Sequence, residues 1–150
     1  MGQSLSKVYV HITFSTKNHY PFIDTELESS LFDYLGGICK KLGCNPVQIG
    51  GYRDHVHILC LLSKNISQIK LLEEIKKSSS GWVKTKGNKY NNFYWQDGYG
   101  IFSVNPSQID MVKDYIKNQR KHHKKQTFKD ELLGFFEKHG VEYNERFVWD

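Results

Sequence analysis

Cysteine and proline are scarce in this chain, with three of each among 150 residues. The cysteines, Cys39, Cys44 and Cys60, are odd in number and lack paired ligand spacing. That excludes a disulfide framework, gives no basis for a thiolate zinc site, and predicts reduced thiols in a cytoplasmic protein. The longest apolar run, around His57 to Leu62, is too short to span a bilayer, and no hydrophobic signal segment opens the chain. Repeats and low-complexity tracts are also lacking. A chain of this length buries roughly 70% of its unfolded surface, so one domain over residues 1–150 is expected, stabilised by its core alone.

Carboxylates are missing where cations concentrate. The net charge is only +5, but Tyr115 to Lys129 holds Lys117, Arg120, Lys121, Lys124, Lys125 and Lys129, two histidines and no acidic residue. Lys64 to Lys89 carries seven lysines against Glu73 and Glu74. A lysine run is often a solvated helix face, yet the first stretch also suits a polyanion such as nucleic acid.

Lys7 to Thr16 alternates as a strand, with Val8, Val10, Ile12 and Phe14 on one face and Tyr9 and His11 on the other. Asp24 or Thr25 can cap a helix to about Leu42 with the stripe Leu27, Leu31, Leu35, Ile38 and Leu42, ended by Gly43. Pro46 to Tyr52 is a short strand and Arg53-Asp54 a tight connection. His55 to Leu62 is apolar on both faces, hence central in its sheet. A helix from Asn65 or Ser67 would bury Ile69, Leu72, Ile75 and Trp82. Phe93 to Val104 reads as a strand interrupted at Gly98 and Gly100. Asn105-Pro106-Ser107-Gln108 is a helix start, with Asn as cap and Pro at the first position. The helix it opens runs over about 106–123. A last helix, Phe128 to His139, and a tail that offers Tyr143, Phe147 and Trp149 for docking occupy 128–150. The order predicts an α+β fold: a ferredoxin-like, RRM-like split βαβ antiparallel sheet with helices on one face. The other face is left for a ligand, a partner or the C-terminal helices.

Against this frame two short motifs carry chemistry. His55-Val56-His57 places two imidazoles on one face of a strand, where they can share a divalent ion. Tyr115 and Gln119 lie one helical turn apart. With the amide of Gln119 as third ligand, Mg²⁺ or Mn²⁺ would keep open positions for phosphate oxygens. A phenol has an ordinary pKa near ~10, so its anion needs stabilisation, which Lys117, Arg120 or the metal can supply. Attack by Tyr115 on a phosphodiester would give a phosphotyrosine and free a sugar hydroxyl, conserving the bond for later rejoining. Lys117, Arg120 and Lys121 are assigned to DNA phosphates. His122 and His123 are expected on an exposed turn, because adjacent helix residues diverge. His11 reads equally as a buried polar residue and as a DNA contact, and Trp95, Gln96 and Tyr99 as packing residues.

His55-Val56-His57 resembles the histidine-hydrophobe-histidine motif of the HUH nucleases, and Tyr115 with Gln119 resembles the nucleophile and third metal ligand of their single-tyrosine transposases, the IS200-like family of bacterial insertion sequences. His11 to Lys17, Gly51 to Asp54 and Trp95 to Ser103 resemble further family segments in the same order, so the likeness spans most of the chain. It implies an enzyme that cleaves and rejoins single-stranded DNA through a 5′-phosphotyrosine and recognises hairpins at element ends. It further implies a homodimer whose active sites are completed in trans by the tyrosine helix, with segments near Thr85 to Asn92 and Lys124 to Thr127 as hinges. A REP-associated, host-maintained relative would share these features. Two other classes fit parts of the sequence. His11-Ile12-Thr13 fits half of a two-histidine phosphoesterase signature, but the second half is missing, with Leu59 where a hydroxyl is required. A non-catalytic nucleic-acid-binding sheet with stacking aromatics lacks an RNP-type motif here.

Overall fold

The structure, a computed structural model, describes residues 2–146 together with 148 and 149. Four strands, β1 (Val8–Ser15), β2 (Asn45–Tyr52), β3 (His55–Leu62) and β4 (Gly100–Val104), form one sheet in the order β2-β3-β1-β4. All pairings are antiparallel. β3 therefore lies between β2 and β1, as the expected split βαβ requires. It is buried from His55 to Cys60.

Helices α1 (Glu28–Lys41) and α2 (Gln68–Lys84) cover one face. Gly43, at φ 77°, takes the left-handed conformation that ends α1. Ser67 caps α2 by accepting from the Lys70 amide at 3.2 Å. The core on this side joins Val10, Ile12 and Phe14 of β1, Val56 and Ile58 of β3, Leu31 and Leu35 of α1, and Leu72 and Ile75 of α2. Ile69, expected inside, is 67% exposed, and Leu71 takes the buried position.

Only Gly100–Val104 of the expected Phe93–Val104 strand pairs as a strand, apart from an isolated bridge between Trp95 and Thr16. The preceding segment is held on α2 instead. The Lys76 ammonium donates to the carbonyls of Gln96, Asp97 and Gly98 at 2.9, 3.1 and 2.6 Å, and Trp95 Nε1 donates to Ser79 Oγ at 2.9 Å. Backbone carbonyls so occupied are unavailable to a neighbouring strand.

The second face of the sheet is covered by α3 (Ile109–Lys117), the short α4 (Gln119–His122) and α5 (Phe128–His139). The helix expected over 106–123 is thus divided. A 3-10 turn covers Pro106–Gln108 behind the Asn105 cap, and Asn118, at φ −100° and ψ 25°, separates α3 from α4 while its side chain donates to the Asp114 carbonyl. Phe128, Leu132 and Phe136 of α5 pack on Phe102 of β4, with Trp149 against them, and Tyr143 packs on Phe136. Phe147 lies outside the described residues. Among the described residues no helix is long and apolar enough to cross a membrane.

Candidate metal and nucleophile site

β3 sets the site. Its two-residue connection from β2, Arg53-Asp54, starts the strand at His55, so His55 and His57 point to the α3–α5 side while Val56 enters the α1–α2 core. Both histidines are fully buried. Opposite them, α3 lies against β2 because Gly50 has no side chain: a Cβ there would stand 2.6 Å from the Ile116 carbonyl oxygen. This close approach brings Tyr115 and Gln119 over the histidine pair.

His55 Nε2 lies 2.9 Å from Gln119 Oε1. The ring centroids of His57 and Tyr115 are 5.8 Å apart. Tyr115, His55, His57 and Gln119 therefore meet within one chain. Lys117 and Lys121 are exposed outside this cluster, and Arg120 is directed to an ion pair with Glu28.

Two further groups complete the cluster. Glu131 of α5 accepts from His57 Nε2 at 2.9 Å and from the Tyr115 hydroxyl, and lies 3.5 Å from His55 Nε2. His123, expected on an exposed turn, has only 4% of its side chain exposed; its Nε2 lies 2.9 Å from Gln119 Oε1 and 3.2 Å from Glu131 Oε2. The turn after α4 points this ring inward, where it is fixed by the Gln126 carbonyl 2.6 Å from Nδ1. Donor atoms of His55, His57, His123 and Glu131 lie within 4.8 Å of one another.

Second contacts orient the rings. Asp54 Oδ1 is 2.8 Å from His55 Nδ1, and His11 Nε2 is 2.8 Å from His57 Nδ1. Such partners fix imidazole tautomer and direction in metal sites. Burial pushes the His57 and His11 pKa values down and so favours neutral rings. Burial opposes ionisation of Glu131, but the field of His57 and the hydrogen bonds from His123 and His57 outweigh it, holding the carboxyl well below its usual range. Burial, then the Glu131 charge, pushes the Tyr115 phenol far up. The phenol is a poor nucleophile until a cation offsets that charge.

The donor set fits a divalent ion: imidazole nitrogens, an amide oxygen and a carboxylate face one point, and a cation between them would relieve the crowding of lone pairs. His55, His57 and Gln119, with Glu131 and His123 in reach, are the groups that would hold it. The two additional groups carried a sequence signal that local motifs do not use. Glu131 stands with Phe128 and Leu132 on the buried stripe of α5, and His123 is four residues beyond Gln119.

Solved structures of other proteins share the fold. A Deinococcus radiodurans R1 protein assigned as a transposase superposes with a TM-score of 0.63 at 21% identity, over 79% of this chain and 96% of that one. A REP-associated tyrosine transposase bound to a REP hairpin superposes with a TM-score of 0.59 at 15% identity, over 82% and 73%. The family model "Transposase IS200 like" matches residues 4–119, which include His55, His57, Tyr115 and Gln119, and the chain belongs to the IS200-like transposase family.

Proposed function

We propose that this chain is one HUH domain that cleaves and rejoins single-stranded DNA with Tyr115 as nucleophile. The observation that carries the reading is the meeting of the Tyr115 hydroxyl with the His55–His57 pair, linked through Glu131. Attack forms a bond from the Tyr115 oxygen to phosphorus and breaks the bond from phosphorus to the 3′-oxygen. The product is a 5′-phosphotyrosine and a free 3′-hydroxyl. The phenolic proton leaves to solvent as the bond to phosphorus forms, Glu131 orienting the hydroxyl through the hydrogen bond it accepts, and the 3′-oxygen takes up a proton from solvent. Mg²⁺ or Mn²⁺ held by His55, His57 and Gln119 would polarise and orient the phosphate. The phosphotyrosine conserves the bond, so a DNA hydroxyl can reverse the step without ATP.

Lys117, Arg120 and Lys121 are assigned to phosphates flanking the site, with Arg120 released from Glu28 when DNA binds. A DNA hairpin as partner is supported by the structural neighbour bound to a REP hairpin. The proposal includes the homodimer that the family resemblance implies, with the tyrosine helix of one subunit completing the histidine site of the other in the arrangement that Tyr115, Gln119, His55 and His57 take here within one chain.

The test is incubation with end-labelled single strands carrying the hairpins that flank the gene, with Mg²⁺ or Mn²⁺, with EDTA, and with Tyr115→Phe, followed by denaturing gels. A covalent adduct that requires both metal and Tyr115 is expected. Binding without adduct under every condition would reduce the protein to a nucleic-acid-binding sheet.

A further inference from the structure

His55, His57 and Gln119 suffice for an ion that keeps positions open to phosphate, yet His123 and Glu131 bring donors to the same place. Both lie beyond residues 4–119, the part that the family model matches. Each of the three imidazoles has its far nitrogen held. His55 Nδ1 lies 2.8 Å from Asp54 Oδ1, His57 Nδ1 2.8 Å from His11 Nε2, and His123 Nδ1 2.6 Å from the Gln126 carbonyl. The His123 ring is also stacked on Tyr52, with an interplanar angle of 14°. Carboxylate and carbonyl oxygens only accept, so the neutral rings of His55 and His123 carry their proton on Nδ1 and turn the Nε2 lone pair inward.

Those lone pairs face a carboxylate. Glu131 oxygens stand 3.5, 2.9 and 3.2 Å from Nε2 of His55, His57 and His123. Donors around tetrahedral Zn²⁺, with bonds of about 2.0–2.1 Å, stand about 3.3 Å apart, so three imidazoles and one carboxylate already have nearly the spacing of a zinc site. All four residues are closed to solvent, as the ligands of a fully protein-coordinated ion are.

We propose that His55, His57, His123 and Glu131 form a second, closed mode of metal binding that takes Zn²⁺ and holds the site shut. The proposal rests on the strand-transfer reading and deepens it by naming a regulator of the same site. Imidazole nitrogens suit Zn²⁺ better than Mg²⁺ or Mn²⁺, and Zn²⁺ stands above Mn²⁺ in the order of divalent affinities. With Zn²⁺ on all four residues, β3 is tied to the loop after α4 and to α5, Gln119 is left out, and no position remains for a phosphate oxygen. Mg²⁺ and Mn²⁺ favour oxygen donors and draw on Gln119 instead, with positions free for DNA. Zn²⁺ therefore inhibits strand transfer, and its removal must precede reaction.

The experiment compares the wild type with His123→Ala, His123→Gln, Glu131→Gln and Gln119→Ala. Zn²⁺ and Mn²⁺ affinities are measured without DNA against a competing chelator, Co²⁺ serves as a visible probe of coordination, and melting is followed with Zn²⁺ and with EDTA. The wild type should bind one Zn²⁺ per chain at least about 100-fold more tightly than Mn²⁺, give the intense visible absorption of four-coordinate Co²⁺, and melt at a higher temperature with Zn²⁺. The His123 and Glu131 variants should lose at least about 100-fold in Zn²⁺ affinity, and Gln119→Ala less than about threefold, the reverse of its effect on Mn²⁺. Zn²⁺ added to Mg²⁺ reactions should stop adduct formation by the wild type. The His123 variants, each judged against its own Mg²⁺ yield, should need at least about 100-fold more. Zn²⁺ binding no tighter than Mn²⁺ binding, Zn²⁺ affinity kept by the His123 and Glu131 variants, or full adduct formation by the Zn²⁺-loaded wild type overturns the proposal. Absence of any wild-type adduct with Mg²⁺ and with Mn²⁺ overturns strand transfer instead, and the affinities without DNA still decide the zinc site.

Discussion

Gly50→Ala tests whether the approach of α3 to β2 sets the nucleophile. The added Cβ would stand 2.6 Å from the Ile116 carbonyl oxygen and 2.9 Å from its Cγ2. A relaxed carbon–oxygen contact is about 3.4 Å, so the helix must retreat by roughly 0.8 Å, and backbone cannot rotate aside as a side chain can. Overpacking of this kind costs about 1–3 kcal/mol. At about 2–4 °C per kcal/mol for a chain of this size, the melting temperature should fall by roughly 2–12 °C. The catalytic effect is larger, because Tyr115 adjoins Ile116 and Gln119 follows within a turn. Displacement near 1 Å costs on the order of 100-fold in a positioned reaction. Single-turnover adduct formation at saturating DNA should therefore drop about 10- to 100-fold, with DNA affinity within roughly threefold of wild type. Gly37→Ala is the control: nothing lies within 4 Å of its Cβ, and alanine in a helix is favourable by up to about 1 kcal/mol. A Gly50→Ala protein with wild-type adduct kinetics would refute the placement of Tyr115 by this contact.

Gln119→Ala should weaken Mn²⁺ binding by about 10- to 100-fold, read by titration without DNA, since a neutral oxygen donor is lost. Lys117→Ala with Lys121→Ala should lower single-strand affinity and reduce the slope of log affinity against log salt by about 0.7 for each phosphate contact removed; an unchanged slope would remove that assignment. Stability of the metal-free protein should fall as pH drops. His11 and His57 have depressed folded pKa values, so the unfolded chain binds protons first once pH passes below the unfolded value of 6.5. Each such histidine contributes up to about 1.4 kcal/mol per pH unit below 6.5, whereas His123, whose folded pKa is raised, acts above 6.5, where it adds stability as pH falls, and leaves the slope below 6.5 unchanged. Below 4.5 the depressed Glu131 adds a further loss in the same direction. A melting temperature flat between pH 7 and 5 would contradict the buried neutral histidines.

Most strands and helices were legible because local signals agreed with the final packing. Asn105, Ser67 and Gly43 cap or end elements as their chemistry dictates. Alternation along β1 and β3 placed His11 and His57 on the face opposite Val10 and Val56. The exceptions have long-range causes. Trp95 to Gly98 carries a strand-like composition, yet the carbonyls of Gln96, Asp97 and Gly98 are captured by Lys76, twenty and more positions earlier in the chain. Ile69 and Leu71 both fit a helical stripe, and only the direction from which the sheet approaches α2 decides between them.

The site divides in the same way. His55 and His57 share a face by strand geometry, and Tyr115 and Gln119 by helix geometry, so each pair was visible locally. Glu131 was not, because its role depends on α5 returning across the sheet to place a carboxylate between two imidazoles and a phenol. Its buried position on an apolar stripe is the trace that sequence retains: an ionised group is stable there only if it is paired. The pairing found, with His57, His123 and Tyr115, leaves Glu131 on both the proposed nucleophile and the nitrogens proposed to hold the metal. A group so placed couples the two halves of the reaction. Any cation that draws on Glu131 also changes the charge beside the Tyr115 hydroxyl, and with it the ease of forming the phenolate.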